Sequence, residues 1–181
     1  MSVSDPDPVK QHDFQVRCMH RAATTGQLQF GGRSFGCALG RSGITSQKRE
    51  GDGASPAGAY TLLCGFYRAD RLAKPITQLP MRPMLELDGW CDDPRDARYN
   101  QLITLPFAGS HERLWRDDQV YDVVVVLDQN IHPRRPGGGS AIFFHIAATG
   151  FTPTEGCIAV SHATMRHALE FARRGSKMRI G

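Results

Sequence analysis

The chain has 181 residues, 40% hydrophobic and 22% charged, with a net charge of +4 and a pI near 8.9. That size and balance suit one globular domain with a sizeable core, and no apolar run approaches the roughly 20 residues a membrane helix needs. The mild basic charge is compatible with an anionic polymer, but no Lys/Arg run with interleaved aromatics is present, which argues against nucleic acid as a partner.

In chain order, residues 1–12 contain Asp5, Pro6, Asp7 and Pro8 and no apolar stretch, so they read as a flexible tail and not as a secretory signal. Residues 13–181 then form one domain. Phe14, Val16 and Cys18 alternate with polar residues, as do Leu28 with Phe30 and Phe35 with Cys37 and Leu39. This period of two, broken at Gly26 and Gly31-Gly32, predicts a meander of short half-buried strands. After a loop punctuated by Gly51, Gly53, Pro56 and Gly58, Tyr60 to Phe66 reads as a strand. Met84, Leu85 and Leu87 read as a strand entering a turn at Asp88-Gly89, and Arg95 to Asp118 as irregular chain.

Two strongly apolar runs follow, Tyr121 to Leu127 and Ala141 to Ile146, separated by the Pro/Gly/Arg loop Pro133 to Gly139. Their β-branched and aromatic content predicts strands covered on both faces. Cys157 to Val160 is a further short strand. One helix is expected, capped by Ser161, with Met165, Ala168, Leu169 and Ala172 on its buried face and Gly175 ending it, before a last strand over Lys177 to Ile180. The fold class is mainly β, a sandwich or barrel with one C-terminal helix near the last strands.

Five cysteines make an odd number and form no CxxC pair, so at least one thiol stays free even in an oxidising compartment. His145 closes one apolar strand and Cys157 opens another, twelve residues later. The intervening Thr, Gly and Pro loop has the length to bring the imidazole and the thiol together. An imidazole beside a thiol promotes thiolate formation and suits acyl transfer through a thioester. Gly156 allows close approach of a substrate, and backbone N–H groups at Gly156 and Cys157 would suit a developing oxyanion. Thr154 offers a hydroxyl from the same loop, as catalytic helper or as ordinary turn residue. Without more, a hydrogen-bonded strand-end histidine and a small buried cysteine are the readier reading of the pair. His111 and His132 show no HxxxH or HExxH spacing with other ligands, so no metal is expected.

The run His145, then Thr154-Glu155-Gly156-Cys157-Ile158-Ala159-Val160, resembles the active-site motif of YkuD-type L,D-transpeptidases, in which a strand histidine precedes a Ser/Thr-x-Gly-Cys turn. Lys48 to Gly58 is similar to that family's Gly-Asp…Pro-x-Gly segment. Asp88 to Pro94, Tyr99-Asn100 and Gly139 to His145 resemble a compact branch of it. The resemblance implies a peptidoglycan cross-linking enzyme of the periplasm or cell wall, without a cofactor. Cys157 would be the nucleophile and His145 the general base. A tetrapeptide stem would be the donor and a second stem the amine acceptor, giving 3-3 or L-Ala-linked 1-3 bonds, and a carbapenem β-lactam would acylate Cys157. Many members carry arginine two positions after the cysteine, where this chain has Ala159.

Substrate contacts expected from the same reading are Trp90, Tyr99 and Trp115 as groove walls, Arg68 as a partner for stem carboxylates, and Asn130 and Ser140 as hydrogen-bonding groups beside the catalytic strand. The alternatives are a cysteine carboxypeptidase or amidase using water, a non-catalytic wall-binding module, and a cytosolic redox-sensing thiol protein.

Overall fold

The computed structural model describes residues 12–181; the expected tail lies almost wholly outside the described residues. Fourteen strands and one α-helix are found among them. Strands β1 (Phe14–Arg17), β2 (Thr25–Phe30) and β3 (Arg33–Ala38) form the expected meander. The short β4 (Ile44–Thr45) and β5 (Ser55–Pro56) pair only with each other. The long β6 (Gly58–Tyr67) follows, then β7 (Met81–Pro83), β8 (Asp88–Cys91), β9 (Leu102–Thr104) and β10 (His111–Arg113). The chain closes with β11 (Val123–Leu127), β12 (Phe143–Ile146), β13 (Ile158–Val160), helix α1 (His162–Phe171) and β14 (Lys177–Ile180).

The main sheet runs β11-β12-β13-β3-β2-β1-β14-β6-β7, and β11 also pairs with β6. That pairing closes the sheet into a barrel and leaves β7 as an appendage of β6. Closure is possible because β6 is ten residues long. Its first residues pair with β14 and its last with β7 on one edge, while Leu62 to Tyr67 pair with β11 on the other.

Burial follows from alternation. Val123, Val125 and Leu127 join the main apolar cluster with Phe144, Ile146, Ile158 and Val160, to which α1 adds Met165, Ala168 and Leu169. The opposite face of the same strands, Val124, Val126, Phe143 and Cys157, packs with Trp90, Leu114 and Tyr121 in a second cluster. Every residue of β11 and β12 is therefore buried, as two-sided coverage requires. Ser161 caps α1 by accepting the N–H of Thr164 at 3.1 Å.

Three expectations need correction. Asp88 does not turn the chain out of a strand; it opens β8, and the turn precedes it. Its carboxylate accepts Leu85 N–H at 2.8 Å and both guanidinium nitrogens of Arg82 at 3.0 Å. That turn leaves Leu85 and Leu87 exposed. Arg95 to Asp118 is not wholly irregular, because β9 and β10 flank β8 in a three-stranded sheet. Helix α1 stops at Phe171, with Ala172 extended as its cap, and Gly175 shapes the next turn at φ 81°.

Candidate active site

The strand pairing that brings His145 and Cys157 together is parallel, with Phe144 beside Ile158 and His145 beside Ala159. A parallel pair needs a crossover and not a hairpin, and residues 147–157 supply it, with a short 3-10 turn at Thr149–Phe151. Because side chains alternate, Phe143 and His145 project from the face that Cys157 occupies just ahead of β13. Both candidate residues line a cavity of about 610 Å³, within the range of small-ligand sites.

The thiol is held by backbone. Cys157 Sγ donates to Ala141 O at 3.2 Å and accepts Phe143 N–H at 3.3 Å. Among the described residues no hydrogen bond joins it to the imidazole. His145 Nδ1 lies 2.8 Å from Ile146 O. A carbonyl can only accept, so Nδ1 carries the proton and Nε2 is left as the basic nitrogen. The Tyr121 ring meets the imidazole edge-on at 5.1 Å.

Burial sets the protonation of both groups. It pushes the Cys157 thiol up to about 12, reinforced by the Glu112 carboxylate, while Phe143 N–H and Lys48 pull the other way. It pushes His145 down to about 4, against the opposing Ile146 carbonyl. The resting pair is therefore a neutral thiol and a neutral imidazole at pH 7, not an ion pair. Such a pair can react when proton transfer accompanies bond formation, once a substrate carbonyl displaces the thiol from Ala141.

The turn that carries Cys157 is fixed by Thr154 and Gly156. Thr154 Oγ1 donates to Cys157 O at 2.7 Å and accepts Gly156 N–H at 3.1 Å. The Thr154 hydroxyl is thus occupied within the turn, and so is the Gly156 N–H expected to face an oxyanion. Gly156 has φ 133°, and a Cβ there would stand 2.8 Å from Ala54 O; only glycine fits.

The loop before β12 is equally constrained. Ala141 has φ 50°, an uncommon conformation for a residue with a Cβ. It is held there by Asn100, whose Oδ1 accepts Ala141 N–H at 3.1 Å and Trp90 Nε1–H at 2.9 Å, while its Nδ2 donates to Gln129 O and Asn130 O. Asn130 in turn ties the preceding loop, donating to Arg135 O and Gly139 O. Ser140 lines the cavity and donates to Glu50 Oε2 at 2.7 Å, and the Tyr99 hydroxyl donates to the same oxygen.

The expected contact residues therefore divide. Ser140 lines the cavity with Cys157 and His145. Trp90, Tyr99 and Asn130 brace its walls from behind. Trp115 packs against the second cluster under the Arg68 guanidinium, 3.7 Å from the ring centroid. Arg68 is only 4% exposed, with its nitrogens on Asp70 and Arg116 O, so it is not presented to a carboxylate in this cavity.

Sequence reasoning gave no role to Lys48, Asp92, Glu112 or Tyr121, all of which line the cavity. The Lys48 side chain is 8% exposed and paired with Asp52, and a Cβ on Gly156 would lie 3.3 Å from its Nζ. Glu112 accepts the Tyr121 hydroxyl. The only available signal was their place in or near quoted motifs, since the approach of Glu112 to Asp92 depends on the pairing of β8 with β10. Ala159 lies between His145 and Ala38 in the sheet and is 1% exposed.

Among the described residues, no helix is long and apolar enough to cross a membrane. The family model described as YkuD, L,D-transpeptidase catalytic domain, matches residues 21–180. No match is found among curated proteins or among solved structures.

Proposed function

Because the chain belongs to the YkuD family of L,D-transpeptidase catalytic domains, we propose that it is a peptidoglycan cross-linking acyltransferase with Cys157 as nucleophile and His145 as base. The observation that carries this reading is the placement of both side chains on one face of neighbouring parallel strands, in one cavity.

In the proposed first half-reaction Sγ attacks the carbonyl of the L-centre of diaminopimelate in a tetrapeptide stem as its proton passes to His145 Nε2. The tetrahedral oxyanion takes the Cys157 N–H, since the Gly156 N–H is committed to Thr154. The C–N bond breaks, His145 returns the proton to the leaving amine, and D-alanine departs from a thioester. An amine of a second stem then attacks the thioester, loses a proton by way of His145 to the departing thiolate, and becomes the new amide. A carbapenem would acylate the same sulfur by ring opening. Lys48, held by Asp52, is the cation whose field reaches the thiol. The site of action we infer is the periplasm or cell wall, where the donor resides.

Mass spectrometry of the protein with disaccharide-tetrapeptide, beside Cys157→Ala, tests this. The expected result is D-alanine loss with cross-linked dimers only when the thiol is present, and fragmentation then separates 3-3 from 1-3 bonds. Tripeptide without dimers would convert the reading to a carboxypeptidase; no acyl-enzyme and no product would sink it.

A further inference from the structure

Two carboxylates face the nucleophile from the small sheet and have no part in acylation as drawn above. Glu112 pairs with Trp90 across β10 and β8, and Asp92 N–H continues that ladder to Ser110 O at 3.2 Å. Trp90, Asp92 and Glu112 therefore share one face of the sheet. Trp90 meets Phe143 edge-on at 5.2 Å, which fixes that face as the one turned toward β12. Asp92 and Glu112 both line the cavity with Cys157.

Neither carboxylate is fully satisfied. Tyr121 occupies Glu112 Oε1, and the other oxygen accepts nothing among the described residues. Asp92 Oδ1 is closed to solvent and, among the described residues, has no hydrogen-bond donor. Like charges at diagonal cross-strand positions repel. The neighbouring cations are engaged elsewhere, Arg116 by Asp118 and Lys48 by Asp52, although the field of Arg116 reaches Glu112. Glu155, another charged wall residue near the thiol, adds negative charge, and it is paired with Arg41.

We propose that Asp92 and Glu112 form an ammonium subsite for the acyl acceptor, with Asp92 binding the cation and Glu112 removing one proton so that a neutral amine reaches the thioester. The inference rests on the transferase reading and adds to it the choice of nucleophile: a cationic amine is concentrated beside the acyl-enzyme and water is not. The step balances, because R–NH3+ and the carboxylate become R–NH2 and a carboxylic acid, whose proton then leaves to solvent. Burial raises the affinity of Glu112 for that proton.

The test follows acyl-enzyme partitioning by mass spectrometry in the full-length protein, with L-lysine amide as cationic acceptor and methoxyamine as neutral acceptor. In Glu112→Gln and Asp92→Asn the ratio of transfer to hydrolysis is expected to fall at least tenfold with lysine amide and to change little with methoxyamine. An unchanged ratio with lysine amide, or an equal fall with both acceptors, would overturn the proposal. A second measurement needs no turnover: NMR titration of Cys157→Ala with lysine amide should saturate, and Asp92→Asn in that background should abolish the binding. Absence of binding in Cys157→Ala tells against the subsite, whereas absence of any acyl-enzyme in the parent tells against the transferase.

Discussion

At the scale of single residues, His145 and Cys157 are governed by desolvation. A buried imidazole that titrates near 4, against 6.5 when exposed, makes the folded state bind fewer protons than the unfolded chain across that interval. Its contribution is thus intact above pH 6.5 and is lost as pH falls toward about 4, roughly 3 kcal/mol in all. The thiol gives the mirror image, with loss as pH rises from 9.0 toward about 12. Urea unfolding from pH 7 to pH 4 should show the acid slope, and His145→Asn should flatten it; an equal slope in the variant would contradict this account. The pair was legible as a candidate only through the motif resemblance around the glycine turn, because strand position alone suits a hydrogen-bonded histidine and a buried cysteine at least as well. Lys48, Asp92 and Glu112 were not, since a charged side chain in a loop or short strand looks the same whether it faces solvent or a cavity.

At the scale of elements, the turn Thr154 to Cys157 is built by one hydroxyl and one glycine. Gly156→Ala would combine a left-handed φ with a Cβ pressed 2.8 Å from backbone. We expect a loss of about 2 kcal/mol or more in stability, read from the urea midpoint. Acylation should fall by about a hundredfold even where the protein folds, since a displacement near 1 Å has that effect. Helix α1 was readable from Ser161 and its apolar spacing because both signals are local. The short strands β9 and β10 escaped notice, since three residues cannot display a period, and Asp88 misled because its turn is closed by Arg82 from another strand.

At the scale of the whole molecule, a closed barrel carries the nucleophile and a separate three-stranded sheet faces it across the cavity. Polar ties join the two, among them Arg82 to Asp88, the Tyr121 hydroxyl to Glu112, and the hydrogen bonds of Asn100 to Gln129, Asn130 and Ala141. Arg82→Ala would strand the carboxylate of Asp88, which is 5% exposed, at a cost of about 1–2 kcal/mol. Hydrogen exchange should then quicken in β8, β9 and β10 while barrel amides keep their protection; uniform acceleration would mean that the two parts unfold as one. The mainly β class was readable from alternation, but closure was not, because nothing in β6 announces that it pairs with three partners. The crossover between β12 and β13 carries a consequence of its own. A single nick in its exposed segment would leave the imidazole on one fragment and the sulfur on the other. The shorter fragment would still hold β13 wedged between β12 and β3, and β14 between β1 and β6. Such a cut protein would remain clasped along four strand edges, and the chain could serve as a split reporter whose signal appears only when both halves interleave.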